Sequence, residues 1–375
     1  MGMASDARSQ ADAPGEWSGG LRSSMQVRWV EGPDEYGLTM GIRAQMDTIA
    51  AATTSKPPRL KRRTIRLDDG HRVGLSICGE GVPLVMVHGI FAEGMLYART
   101  LRRLAGMGFR VIAVDSAGHG RTDGLGRRGW DWSNYIDLHE RVLDHLGIER
   151  AVFMGHSMGG RVVVDLASRQ PERAIAVIPI NAAIGRGWDK MTSLARFVPG
   201  LFPLGVGLLV TDTLSSAVRG RKQMGSIARL AAPSLLDRVR ALPSMPAALW
   251  ATAFDQGSDD MLRTLAEHQV PVVVVHGDHD LTIWYPFARD AARSANGTMI
   301  RVEGGLHSWL LENADSLPSM IGALLDGPLS DALDAAAGDI DELYGPEALA
   351  LTLDRPTSKP YQLEPGHDWR LDPVV

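Results

Sequence analysis

The stretch Ala151-Val152-Phe153-Met154-Gly155-His156-Ser157-Met158-Gly159-Gly160-Arg161 decides how this chain is read. Ala151 to Met154 is a short apolar run of the kind that forms a buried strand, and Arg161 to Arg169 has a helical pattern stopped by Pro171. Between them stands a serine in G-x-S-x-G spacing. A tight strand-to-helix turn pushes such a hydroxyl out of the sheet, in a strained conformation that only small neighbours permit; Gly155 and Gly159 are those neighbours. The backbone N–H of Met158, at the start of the helix, would then face an oxyanion formed on a substrate carbonyl. A glycine-rich turn with no chemical role is the competing explanation, and the flanking strand and helix favour the nucleophile.

The same alternation extends outward. Asp68, Asp69 and Gly70 supply a turn between strands expected at Thr64–Leu67 and His71–Ile77. Pro83–Val87 and Val111–Val114 read as buried parallel strands, with Tyr97, Leu101 and Leu104 at helical spacing between them and Leu138, Val142 and Leu146 after them. Ala174–Ile180 continues the series, with Pro179 expected near the end of that strand. From 185 to 267 the strands stop and short helical patterns take over; strands resume at Pro271–Val275 and Thr298–Val302, before a helix around Trp309–Leu325. The expected fold class is α/β: a mostly parallel eight-stranded sheet with helices on both faces and an inserted helical cap. The core is assigned to 61–184 and 268–327 and the cap to 185–267. Residues 1–60 form a leader with one helix from Gly37 to Ala52, and 328–375 form an acidic, then Pro-rich tail of one loose helix and extended chain.

A serine hydroxyl needs a base, and His307, in Gly304-Gly305-Leu306-His307 just past the last strand, is placed to supply it. It comes last in the chain order Ser…Asp…His. His88 and His119 also lie at strand ends, His156 adjoins the serine and should point away, and His276 and His279 flank the acid candidates. The acid comes from Gly277-Asp278-His279-Asp280: Asp280, further into the loop, is preferred, and Asp278 is the alternative, its other role being to hold the loop backbone. A second oxyanion donor is expected after His88-Gly89, from the N–H of Ile90 or, next, of Phe91.

With these residues together, the chain from about Thr64 to Leu325 resembles the α/β-hydrolase superfamily, in its capped, serine esterase- and lipase-like branch. His88-Gly89-Ile90-Phe91 is similar to that family's oxyanion motif, Asp115-Ser116-Ala117-Gly118-His119-Gly120-Arg121-Thr122 to its loop after the fourth strand, and the elbow, Gly277-x-x-Asp280 and Gly305-x-His307 to its three catalytic positions. The resemblance implies Ser157, Asp280 and His307 as a triad. Family members that open epoxides or displace halide carry aspartate at the elbow, so Ser157 points to acyl transfer through an acyl-enzyme. A carboxylic ester is the expected substrate, hydrophobic or lipidic given the Leu- and Phe-rich cap. Carbon–carbon hydrolysis of ring-cleavage products and cofactor-free perhydrolysis are the alternatives; a ligand sensor or assembly protein on this fold is a reading of another class.

Composition sets the bounds. In 375 residues, 45% are hydrophobic and 22% charged, as in an ordinary globular enzyme, and a net charge of −5 argues against nucleic acid as the main partner. The single cysteine, Cys78, excludes an intramolecular disulfide and reads as a small residue packed in a strand. No cofactor is expected: neither phosphate-loop nor dinucleotide glycine spacing is present, and no histidine clustering suggests a metal. The basic residues Lys56, Arg59, Lys61, Arg62 and Arg63 read as a solvated linker from Ser55 to Arg63. The apolar run Phe197–Val210 reads as too short to span a bilayer and broken by Pro199 and Pro203, so a cytoplasmic enzyme is expected. Transient lipid-surface contact through the cap and a homo-oligomer formed through the terminal extensions complete the expectations.

Overall fold

The computed structural model describes residues 42–52, 58–198, 200–221, 225, 229, 235–336, 343–344 and 363–374. Its strands are β1 (Lys61–Arg66), β2 (Arg72–Cys78), β3 (Val82–Val87), β4 (Phe109–Val114), β5 (Ala151–His156), β6 (Ala174–Ile180), β7 (Val273–Gly277), β8 (Thr298–Val302) and β9 (Trp369–Asp372). They form one sheet in the order β1-β2-β4-β3-β5-β6-β7-β8-β9. From β4 to β8 the neighbours run parallel, and β1, β2 and β9 pair antiparallel at the two sides. The α/β class and the strand positions stand as expected, and Pro179 is the penultimate residue of β6.

The expectation of eight strands is corrected to nine among the described residues: the tail, read as one loose helix and then extended chain, adds β9 along β8 from Met299↔Asp372 to Val302↔Trp369. That pairing covers an edge whose N–H and C=O groups would otherwise face outward.

The described α-helices are α1 (Ile42–Ala52), α2 (Ala98–Ala105), α3 (Ser133–His145), α4 (Met158–Arg169), α5 (Arg186–Phe197), α6 (Leu201–Arg219), α7 (Leu235–Ala241), α8 (Met245–Phe254), α9 (Ser258–Glu267), α10 (Tyr285–Ser294), α11 (Ser316–Leu325) and α12 (Pro328–Asp334). They explain why β3 to β7 are apolar on both sides. One face of the sheet is buried against α3, α4, α9 and α10, through residues such as Val142, Val163, Leu265 and Ala292. The other lies under α1, α2, α11 and α12, through Met46, Leu101, Ile321 and Leu333. The leader helix α1 and the tail helix α12 therefore share one layer, where the Arg43 N–H donates to Asp334 at 3.2 Å. Cys78 is buried in β2, and desolvation pushes its thiol up to about 12, so it stays protonated.

Three basic residues of the expected linker, Lys61, Arg62 and Arg63, belong instead to β1. The Arg62 guanidinium reaches the buried Glu93 at 2.5 Å and Asp115 at 3.6 Å. Burial, opposed by the Arg121 and Gly94 N–H groups and by Arg62, leaves Asp115 at about 6. This ion cluster ties β1 to the loop after β4.

Within 185–267, α9 lies in the layer that covers the sheet, with Leu262 and Leu265 in the same buried cluster as α4. The rest is tethered by Arg161, which is fully buried on α4. Its guanidinium meets Asp255, after α8, at 2.6 Å and Asp189, on α5, at 3.5 Å. Asp189 in turn accepts the Ser258 N–H at 2.9 Å. One core arginine thus neutralises carboxylates from both ends of the insert.

Helix α6 departs from the expectation of an interrupted apolar run. Pro203 falls in its first turn, where no intrahelical N–H bond is required, so the helix continues for 19 residues to Arg219. With a mean hydropathy of 1.5 it is long and apolar enough to cross a membrane by length and composition. Its placement is unusual: Leu204, Val210, Leu214 and Val218 are exposed, while Asp212 and Ser216 are the buried side chains.

Candidate active site

The elbow forms as its sequence demands. Ser157 has φ 55° and ψ −118°, a strained region for a side-chain-bearing residue. Its N–H is held by the Ile180 carbonyl at 2.9 Å, and its own carbonyl accepts the Gly160 and Arg161 N–H groups at 3.0 and 3.3 Å. A Cβ at Gly155 would run into the Gly159 carbonyl, and a Cβ at Gly159 into the carbonyls of Val87 and His88. Glycine at both positions is what lets α4 start directly above the sheet.

Three distant side chains meet there. His307 Nε2 lies 2.9 Å from Ser157 Oγ, and His307 Nδ1 lies 2.8 Å from Asp280 Oδ2. A carboxylate only accepts, so Nδ1 carries the proton and Nε2 is left to accept from the serine hydroxyl. Asp280 is fully satisfied: Oδ2 also accepts Asn181 Nδ2 at 2.7 Å, and Oδ1 accepts the Thr282 and Ile283 N–H groups at 2.8 and 2.9 Å. Burial opposes its charge, but His307, His276 and the Ile283 N–H overcome that and bring its carboxyl down to about 2. Burial likewise disfavours a charged His307, yet the charges of Asp280 and Asp212 outweigh it and hold the imidazole above its ordinary 6.5.

The other sequence candidates fall apart from this relay. Asp278 pairs with Arg301 at 2.7 Å and accepts the Gly304 N–H at 2.7 Å, so it fastens the loops rather than touching His307. His156 donates from Nε2 to the His307 carbonyl at 2.8 Å and accepts the Tyr97 hydroxyl at Nδ1 at 3.0 Å, which makes it a brace behind the histidine. His276 is bound to the Ile283 carbonyl at 2.8 Å, and His279 is exposed. His88 is engaged by the Ser116 N–H at 3.0 Å and the Gly89 carbonyl at 2.7 Å.

The loop after β3 lies beside the serine: a Cβ on Gly89 would stand 3.2 Å from Ser157 Cβ. Phe91 has φ 61°, and its N–H points to His119 Nε2 at 3.3 Å. Of the two candidate donors in that loop, Phe91 is therefore committed to His119.

Two functional neighbours escaped the sequence. Asn181, at φ 43° past β6, joins Asp280 to the Trp309 indole, whose Nε1 donates to its Oδ1 at 2.8 Å. Asp212 on α6 accepts the His307 N–H at 2.7 Å and the Leu281 N–H at 3.0 Å. Asn181 carries no motif. Asp212 had one signal, a lone carboxylate inside an apolar helix.

No group of three or more potential metal-ligating side chains occurs among the described residues. The arrangement can activate a serine hydroxyl with an oriented imidazole, which is the machinery of acyl transfer.

Comparison with known proteins identifies the family. Residues 82–314 match the family model described as Serine aminopeptidase, S33. A protein of Mycobacterium phage D29 that carries a non-heme haloperoxidase name is 35% identical over 71% of this chain and 96% of its own length. The bifunctional esterase/perhydrolase DCH of Acinetobacter calcoaceticus is 28% identical over 56% of this chain and 79% of its own. Among solved structures, an esterase from Rhodococcus sp. ECU1013 superposes with a TM-score of 0.54 at 22% identity, covering 71% of this chain and 98% of the esterase, which is a likeness of fold.

Proposed function

The chain belongs to the α/β-hydrolase superfamily, in the family described as Serine aminopeptidase, S33, and on that premise we propose that it is a serine hydrolase cleaving carboxylic esters, with Ser157 as nucleophile, His307 as base and Asp280 as the orienting acid. The observation that carries this reading is the continuous relay from Asp280 Oδ2 through His307 to Ser157 Oγ, at 2.8 and 2.9 Å. In the proposed reaction His307 Nε2 takes the hydroxyl proton as Ser157 Oγ attacks the ester carbonyl. The N–H groups of Met158 and Ile90 receive the oxyanion, and His307 returns the proton to the departing alcohol. Water, deprotonated by the same imidazole, then attacks the acyl-enzyme and releases the acid and Ser157. Asp280 stays ionised throughout and stabilises the imidazolium.

A hydrophobic or lipidic acyl group is part of the proposal. It is supported by the outward face of α6, with exposed Leu204, Val210, Leu214 and Val218, and by the exposed Phe197 next to it; this face is also the proposed site of transient lipid contact. A cytoplasmic location is proposed with it, because α6 is tied through Asp212 to the loops of the hydrolase. A homo-oligomer built through the extensions would have to use surfaces other than the faces of α1 and α12 that pack on their own chain.

Perhydrolysis is the second reading, favoured by the haloperoxidase and perhydrolase names of two relatives. It uses the same acyl-enzyme, with hydrogen peroxide replacing water as the attacking group. Hydrolysis of p-nitrophenyl esters of graded chain length, with and without hydrogen peroxide and beside a vinylogous diketone, separates these reactions. The proposal expects ester turnover that rises with acyl length and vanishes in Ser157→Ala. Turnover of the diketone alone, or ester hydrolysis unchanged in Ser157→Ala, would refute it.

A further inference from the structure

Helix α6 is built inside out. A surface helix ordinarily turns its apolar stripe inward, yet here leucines and valines face outward and the side chains sent inward are Asp212 and Ser216. Burying a carboxylate is costly unless its oxygens are matched by donors. Asp212 is wholly buried, and each oxygen receives a main-chain N–H: Oδ1 that of His307 at 2.7 Å, Oδ2 that of Leu281 at 3.0 Å. These donors belong to the base itself and to the residue following the acid. A second tie lies about two turns further on, where Arg219 donates to the Gly304 carbonyl at 2.9 Å.

We propose that Asp212 is a positioning residue for the Ser157–His307–Asp280 relay, a carboxylate on an inserted helix that clamps together the loops presenting the base and the acid. The inference rests on the reading of those three residues as the hydrolytic machinery. Without the clamp the two loops stay joined near their strands, where Asp278 accepts the Gly304 N–H and the His279 N–H donates to the Gly305 carbonyl, and Asp280 still holds the Thr282 and Ile283 N–H groups. What Asp212 adds is a further link across the two at the triad itself, joining the N–H of His307 to that of Leu281, next to Asp280, which fixes the distance between Asp280 and His307.

Its charge has a second consequence. The groups facing His307 are Asp280 from the loop after β7, Asp212 from α6, His156 at the end of β5 with ring centroids 5.1 Å apart, His276 within β7, and the Ser157 hydroxyl. Of these, Asp280 and Asp212 favour the imidazolium. Removing one negative charge while keeping the shape therefore lowers the pH at which His307 becomes a free base.

Asp212→Asn keeps the side chain's outline but offers one acceptor where two donors converge, and Asp212→Glu keeps the charge with a longer reach. The experiment measures kcat, KM and the acid limb of kcat/KM for ester hydrolysis, with thermal melting as the check on folding. In Asp212→Asn, kcat falls by about 10²-fold, the effect of a misplacement of roughly 1 Å at a reacting group. KM changes little, and the acid limb moves to lower pH. In Asp212→Glu the acid limb stays near that of the wild type while kcat falls. An Asn variant with wild-type kcat and an unmoved acid limb overturns the inference, and so does a loss confined to KM or one that follows melting temperature alone. Should Asp212→Asn fail to fold, Asp212→Glu carries the test, and an unaltered kcat there overturns the inference. Wild-type activity in Ser157→Ala would remove the underlying reading instead, and this one with it.

Discussion

Asparagine in place of Asp280 preserves volume and removes one charge, and its cost follows from the hydrogen bonds. Asp280 accepts from four donors: His307 Nδ1 and Asn181 Nδ2 on one oxygen, the Thr282 and Ile283 N–H groups on the other. An amide has one acceptor oxygen, so two donors meet an NH2 in either orientation. With the oxygen toward His307, the Thr282 and Ile283 N–H groups are stranded at about 1–3 kcal/mol each, so the fold loses roughly 2–6 kcal/mol. With the oxygen toward the turn, the Thr282 and Ile283 N–H groups keep their acceptor, but the amide NH2 meets the Asn181 Nδ2 donor and donates to His307 Nδ1. The imidazole proton then moves to Nε2, and a ring that should accept from Ser157 Oγ donates to it. The expected loss in kcat is about 10⁴-fold, or about 5 kcal/mol of transition-state stabilisation. Steady-state hydrolysis of a soluble p-nitrophenyl ester, with thermal melting measured on the same preparations, reads both costs. A folded Asp280→Asn that loses less than about tenfold would refute the assignment of the acid.

The remaining predictions concern neighbours of the relay. Asp278→Asn breaks an ion pair with Arg301 and weakens the loop around Gly304, so it should cost far less rate than Asp280→Asn; the reverse order in kcat would exchange the two roles. Arg161→Met leaves Asp189 and Asp255 without their buried cation and should destabilise the protein by about 3–5 kcal/mol in denaturant titration; a loss under about 1 kcal/mol would contradict the tether. Burial holds His119 and His139 at about 4 and His156 at about 3, against an ordinary 6.5. These rings are neutral in the fold and gain protons on unfolding, so their contribution is complete above 6.5 and declines as pH falls toward their folded values. Each removes about 1.4 kcal/mol per pH unit across its window. Melting curves from pH 7 to 4 should fall steeply, and a flat profile would contradict the buried neutral state.

How much could be read from the sequence depends on whether a residue acts locally. The elbow is legible because its requirement, small residues on both sides of a strained serine, is written in adjacent positions 155 to 160. His307 and Asp280 are legible by chain order and by following strands. β9 is not: four residues, half exposed, gain strand character only from the open edge of β8. Arg62 looks like any basic linker residue until Glu93 and Asp115 are folded beneath it. Asn181 and Asp212 act across 99 and 95 residues of chain, through contacts that local pattern does not encode. Pro203 misled because a proline breaks a helix in its interior and is harmless in the first turn, and the helix start set the difference.

The most direct measurement is the rate and location of covalent labelling by a fluorophosphonate, followed by peptide mass spectrometry across a pH series. A serine made nucleophilic by its histidine predicts one adduct, on Ser157, forming faster as pH rises through a His307 value above 6.5 and almost absent in His307→Ala. An adduct on another residue, or labelling of Ser157 at the same rate without the imidazole, would contradict it.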